Sequence, residues 1–403
     1  MSTLSTVVSK FLIVFTYQLL LHQPTIETMT AAQLTFPSVP VQHKDFAGYV
    51  TSHYETPIDE LLRPYNEYDA VARKAFAQEP SNPALRDNHV NLVPVYNSAG
   101  AANIPTRARN LAAETPGMKE KYLLPLKDED RRLNGSPAVV PNLEEFQKNF
   151  SIFSEGSLAD MDWSNVVVAG SAVVSALLPV PEKYRGSKRA LRQFYHEKSA
   201  PASDVDLFLY GLSEEQATEK IKQIETKIKN TILHETTTVR TKNTITIVSQ
   251  YPTRHVQIVL RIYKSISEIL TGFDVDCSCA AYDGKQVYLA PRALAAYITQ
   301  INRIDLTRRS PSYENRLSKY SHRGFEVFWP SLDRSKIDPV CSYADSPCGL
   351  LSDSNPRLYS KEASLEPLVS PVFLSWKSFR RPKTETGMSY SDEQNVDDHQ
   401  LQT

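Results

Sequence analysis

The sequence predicts an α+β fold built on a mixed β-sheet, and three observations carry that prediction. Val166-Val167-Val168-Ala169 is an uninterrupted apolar run of strand length that ends in Gly170-Ser171. Ser203-Asp204-Val205-Asp206-Leu207-Phe208-Leu209 reads as a second strand, its apolar pattern broken by two carboxylates. Between and after these runs, helical and alternating patterns follow in the order helix, acidic strand, helix, strands, strand, which is a mixed-sheet layout. With flanking helices, an irregular N-terminal region and a disordered C-terminal tail, this gives the expected fold class.

A chain of 403 residues allows two or three domains, and 41% hydrophobic with 23% charged residues is ordinary globular composition. The formal net charge of −1 gives no global attraction to nucleic acid, so any such binding must use a local patch. The four cysteines, 277, 279, 341 and 348, are too few and too clustered for a secreted disulfide framework. Cys277 and Cys279 are expected as packed thiols, with a metal or redox role as the other reading.

Residues 1–29 form a leader or an over-extended start, since Met29 is itself a candidate initiator. The apolar run Phe11 to Leu21 is too short to span a bilayer, which needs ~20 residues. It suits the core of a signal peptide but lacks a clean small-x-small cleavage site. The expectation is no stable membrane insertion and a cytoplasmic or nuclear protein, with a secretory leader left open. Residues 30–150 read as peripheral helices and loops, including a helical patch within 57–77 and a helix from Leu143 to Phe153.

From 164 the elements follow closely. Ala172 to Leu178 suits a short helix ended by Pro179 and Pro181. Ser213-Glu214-Glu215-Gln216 is a capping box that opens a helix with Ala217, Ile221, Ile224 and Ile228 on one stripe. Val239 to Ile247 and Val256 to Ile262 alternate as strands, with Lys242-Asn243 as a turn. Ser265 to Leu270 is a short helix stopped by Gly272, and Phe273-Asp274-Val275-Asp276 is expected as the next strand. Pro291 starts another helix. Arg303, Arg308, Arg309 and 313–320 continue as a basic helical region, suited either to closing over a triphosphate or to being a polar outer face. Beyond Pro330 the chain turns rich in Ser, Pro and Asp, and 331–403 is expected to be largely disordered, Trp376 and Phe379 being either a docking motif or a stray pair.

The chemistry follows from strand geometry. Side chains at i and i+2 share a face, so Asp204 and Asp206 project together, and Asp276 is expected to meet them from a neighbouring strand. Three converging carboxylates repel unless a cation lies between them, and with no His or Cys at ligand spacing the natural cation is Mg²⁺ or Mn²⁺. Gly170-Ser171 supplies close backbone approach and exposed N–H groups for a phosphate.

These residues resemble the Gly-Ser, Asp-x-Asp and third-acid pattern of the nucleotidyltransferase superfamily, which includes the DNA polymerase beta-like and poly(A) polymerase-like enzymes. The resemblance spans 164–284 and the helices to about 325. His255 to Leu260, followed by Phe273 to Asp276, is similar to the poly(A) polymerase-like order of strands. The stretch also looks like the nucleotidyltransferase-like region of fungal proteins that often carry ankyrin repeats, although no such repeat occurs here. One departure is the long segment between Ser171 and Asp204.

The resemblance implies a nucleotidyltransferase-like domain over 151–330 that moves a nucleoside monophosphate from an NTP to a hydroxyl acceptor. Gly170 and Ser171, with Ser203 beside them, would hold the phosphates. Asp204 and Asp206 would ligate the metal on the triphosphate, and Asp276 would join them around a second metal that activates the acceptor. The same residues suit a binding or regulatory module that has lost turnover, or the head of an ankyrin-type scaffold. The basic segment 183–198, with Tyr184, Phe194 and Tyr195 interleaved, is expected either to track an RNA or protein acceptor or to be a solvated insertion.

Overall fold

In the computed structural model, which describes residues 33–336, Val166–Ala169 is a strand with every side chain buried. In chain order the strands are β1 (Val93–Pro94), β2 (Tyr122–Leu124), β3 (Val166–Ala169), β4 (Val205–Tyr210), β5 (Thr236–Arg240), β6 (Thr244–Ser249), β7 (Val256–Tyr263), β8 (Ala280–Tyr282), β9 (Val287–Leu289), β10 (Ile301–Arg303) and β11 (Glu326–Phe328). Eight of them form one sheet in the order β1-β9-β8-β3-β4-β7-β6-β5, and β10-β11-β2 form a second. In the large sheet β4 and β7 run parallel, and the other neighbours are antiparallel. The fold is therefore α+β with a large mixed sheet, as the sequence predicts.

Strand alternation sends Val166 and Val168 to one side of the sheet, where they pack with Phe146, Phe150, Val173 and Leu177. Val167 and Ala169 go to the other side, with Phe208, Ile266, Ile269 and Leu270. Both faces of β3 are thus covered by helices, which explains why its sequence is apolar throughout. Phe46, Val50, Leu61 and Tyr65 belong to the same core cluster as the sheet, so the N-terminal helices pack directly onto it.

Local chemistry fixes the helices. Asn142 caps Leu143–Phe153 by accepting from the Glu145 N–H at 2.8 Å. The Ser213–Gln216 capping box opens Glu214–Thr231, which together with β5 and β6 carries the chain from β4 across to its parallel partner β7. Pro291 occupies the first turn of Pro291–Thr299, where a missing N–H costs nothing.

Two expectations change. Phe273-Asp274-Val275-Asp276 is a connection that ends in the 3₁₀ turn Asp276–Ser278, and the strand begins only at Ala280. The region after Arg303 is not continuous helix: Ile301–Arg303 is β10, and the helix that follows is Tyr313–Ser321. The leader with its apolar run, Cys341, Cys348, Trp376, Phe379 and all the tail after residue 336 lie outside the described residues. Among the described residues no helix is long and apolar enough to cross a membrane.

Candidate phosphate and cation site

The antiparallel pairing of β3 with β4 sets Val168 opposite Leu207, so the end of β3 meets the start of β4. The turn after β3 and the acids on β4 therefore converge despite the long segment between them. Gly170 takes φ +78°, and a Cβ there would come within 3.2 Å of the Phe273 ring, so both backbone and space call for glycine. Ser171 opens the helix Ser171–Leu177, and its Oγ lies 2.5 Å from the Ser203 Oγ, both residues buried. That hydrogen bond ties the glycine turn to the residue preceding Asp204.

Asp206 lies on β4 and Asp204 immediately precedes the strand, so by alternation the two side chains share one side. Burial pushes the Asp206 carboxyl up to about 6, the Asp204 charge adds to the rise, and Lys319 opposes it. A carboxylate whose ionised form is disfavoured by burial and a like charge is one that a cation would relieve. Lys319, on Tyr313–Ser321, has its own pKa lowered by burial first and then by Arg323, while Asp206 and Asp204 pull it up. Arg323 donates to the Ser171 Oγ at 2.7 Å. Two cationic side chains from beyond the sheet thus face the serine turn and the acids. A helix of about two turns gives the turn little dipole, so Lys319 and Arg323 are its main source of positive charge. The basic stretch 313–320 signals Lys319 in the sequence, but Arg323 has no pattern that marks it.

The third expected acid is not brought here. β8, which follows Asp276, pairs with β3 on the side away from β4, and the strand beside β4 is β7. The residue paired with Asp206 is Gln257, whose Nε2 donates to Asp204 Oδ2 at 2.6 Å. His255 Nδ1 stands 3.8 Å from Asp204 Oδ1. Asp276 instead accepts from Arg292 Nη1 at 3.1 Å and from the Arg303 backbone N–H at 2.8 Å, and it lines a different cavity. Burial raises its pKa, against the pull of Arg292. Asp274 is likewise taken up by Arg316 and Ser310. Among the described residues no group of three or more His, Cys, Asp or Glu is placed to hold a metal. Among the described residues the three-carboxylate cage for two cations does not form.

Arg254 is a site residue that the sequence does not advertise. Buried beside β7, it donates to the carbonyls of Phe153, Tyr195, Ala200 and Ser203 at 2.8–2.9 Å, fixing the approach to Asp204. The basic segment is built differently from a stacking surface. Tyr195 is buried, and Tyr184 and Phe194 pack on each other at 5.0 Å against the core. Arg192 and His196 both bind Glu155, leaving Lys183, Lys188, Arg189 and Lys198 exposed to solvent. Cys277 and Cys279 are free and buried, and burial raises both thiols, Cys279 to about 12.

Residues 144–300 match the model of the Gabija anti-defense 2 family. The matched stretch holds Gly170, Ser171, Ser203, Asp204, Asp206, Arg254 and Gln257, and it ends before Lys319 and Arg323. The chain is also similar to an uncharacterized protein of Acanthamoeba polyphaga mimivirus, 32% identical over 218 residues, which are 50% of this chain and 44% of that protein. The chain therefore spans less than half the length of this relative.

Proposed function

We propose that residues 151–330 are a nucleotidyltransferase-like core that binds the triphosphate of a nucleotide together with one Mg²⁺ or Mn²⁺, and that the protein acts as a nucleotide-binding or regulatory module. The observation that supports this is the meeting of Asp204 and Asp206 with the Gly170-Ser171 turn under Lys319 and Arg323. Asp204 and Asp206 would hold the cation, which when bound neutralises phosphate charge. Gly170 lets the phosphate approach the backbone, and Lys319 and Arg323 supply the positive charge that a polyphosphate needs beside two carboxylates. Gln257 beside Asp204, and Asp276 engaged with Arg292, argue against two-cation transfer chemistry, so no step is assigned to a second metal.

Transfer of a nucleoside monophosphate is the second reading, favoured by the retained i, i+2 pair of acids. The similarity of 144–300 to the Gabija anti-defense 2 family does not favour one reading over the other. An RNA or protein acceptor held by the exposed lysines of 183–198 belongs to the transfer reading, and so does a hydroxyl as its chemical target.

The test is thermal stabilisation of the full chain by each of the four NTPs with Mg²⁺ or Mn²⁺, followed by an assay for pyrophosphate. Metal-dependent stabilisation that disappears in Asp204→Asn, without pyrophosphate, is the expected result. Pyrophosphate release that depends on Asp204 would establish the second reading. No stabilisation by any NTP would remove both.

A further inference from the structure

A second cavity, of about 610 Å³, lies between the helices Ile58–Gln78 and Pro291–Thr299 and the turn Leu306–Arg308. That volume is in the usual range for a small-molecule site. Neither Asp204 nor Asp206 lines it. Ile58, Leu62, Ala70, Ala296 and Ile301 give it apolar walls; Arg73, Lys74, Arg292, Arg303 and Arg308 line it with positive charge, and Asp69, Asp276 and Asp305 with negative.

Most of this charge is already balanced. Arg308 is paired with Asp69, Arg303 with Asp59, and Arg292 with Asp276. Two cations are not. Arg73 bonds only to the neutral Thr307, through its hydroxyl at 3.2 Å and its carbonyl at 2.7 Å, and neither Arg73 nor Lys74 has a carboxylate partner among the described residues. Deeper in, Arg292 is 7% exposed and its Nε makes no hydrogen bond, the Asp69 carboxylate standing 3.9 Å away. A buried guanidinium N–H without an acceptor is costly, and an anion oxygen would satisfy it.

We propose that this cavity is a binding site for a small phosphomonoester of nucleoside size, separate from the acid site on β4. Its phosphate is held by Arg73 and Lys74 with Arg292 beneath, and its flat or apolar body lies on Ile58, Leu62 and Ile301. Guanidinium groups recognise phosphate by paired N–H donors, and adjacent Arg73 and Lys74 supply the two uncompensated charges.

The experiment is calorimetric titration of the full chain with adenosine 5′-monophosphate in EDTA, which keeps divalent cations from the β4 acids, with inorganic phosphate as competitor. The expected result is saturable one-to-one binding, weakened by inorganic phosphate and reduced at least tenfold in Arg73→Gln/Lys74→Gln. Ala70→Trp, at an exposed wall position, should abolish it by filling the space, without changing any charge. Lys319→Gln, which removes a cation from the β4 site, should leave it intact, which separates this site from the one on β4. Absence of binding, equal binding in the double variant, or loss in Lys319→Gln would overturn the assignment.

Discussion

Gln257 donates its side-chain amide to Asp204 at 2.6 Å across the parallel pairing of β4 and β7, on the neighbouring strand from which the sequence predicts Asp276. Gln257→Glu replaces that donor with a like charge. Without divalent cations the variant should therefore be less stable than the parent. With Mn²⁺ it should be stabilised more, and bind the ion about tenfold more tightly, because affinity for hard cations follows ligand charge. Thermal melts with and without Mn²⁺, with a direct Mn²⁺ titration, check this. Equal Mn²⁺ affinity in both proteins would mean that Gln257 does not face the cation position.

The raised pKa of Asp206 makes stability depend on pH in a direction opposite to that of an ordinary ion-paired carboxylate. The folded value is about 6 against an ordinary aspartate value of 3.8, so the fold favours the protonated form. The Asp206 contribution is fully present below the unfolded value and is lost as pH rises through the folded one, a difference of about 3 kcal/mol. Asp206→Asn should accordingly be more stable than the parent at pH 7.5 without metal, the gap closing by pH 4. A divalent cation should reverse the order at pH 7.5, since it needs the ionised acid. Paired melting curves across pH decide it, and a variant less stable at pH 7.5 without metal would contradict the assignment.

Asp276→Asn separates structure from site. It leaves the buried Arg292 with only Asp69, 3.9 Å away, as a charge partner, which should cost roughly 3 kcal/mol. Because Asp276 faces the other cavity, the variant should keep metal-dependent nucleotide binding when measured below its melting temperature. Loss of nucleotide binding from a folded Asp276→Asn protein would place this acid back with Asp204 and Asp206.

Gly170→Ala introduces a Cβ at φ +78° and 3.2 Å from Phe273. The expected cost is about 1–3 kcal/mol from the backbone alone, with nucleotide affinity falling as the turn moves. Denaturant unfolding measures the first effect. An unchanged midpoint would show that the turn relaxes freely.

The parts of this fold that were legible in the sequence are those set by neighbours along the chain. The helix Leu143–Phe153, the capping box at Ser213 and the strands β3, β4 and β7 follow from local periodicity and caps. The meeting of Gly170-Ser171 with Asp204 and Asp206 was also legible, because an apolar strand and an acidic strand in one sheet have few ways to pair. Asp276 was misread because its D-x-D spacing imitates a strand, while the groups that claim its oxygens, Arg292 and the Arg303 N–H, lie farther along the chain. The same reason hides Gln257, Arg254 and Arg323. Their roles come from pairing order and packing, which leave no mark in the spacing of residues.

Arg254 offers the sharpest test of how the acid site is held. Its guanidinium is buried, lies 4.1 Å from the centre of the Phe153 ring, and donates to four carbonyls, one of them that of Ser203 next to Asp204. Arg254→Lys keeps the charge but cannot reproduce the planar fork, so several of these carbonyls lose their donor inside the protein at a cost of roughly 2–4 kcal/mol. A purely structural role would lower the melting temperature and leave the affinity of the remaining folded protein unchanged. A positioning role predicts more: well below the melting temperature, Mn²⁺ and nucleotide should bind several-fold more weakly, as Ser203 loses the contact that sets it against Ser171. Binding equal to the parent in the folded variant would confine Arg254 to stability.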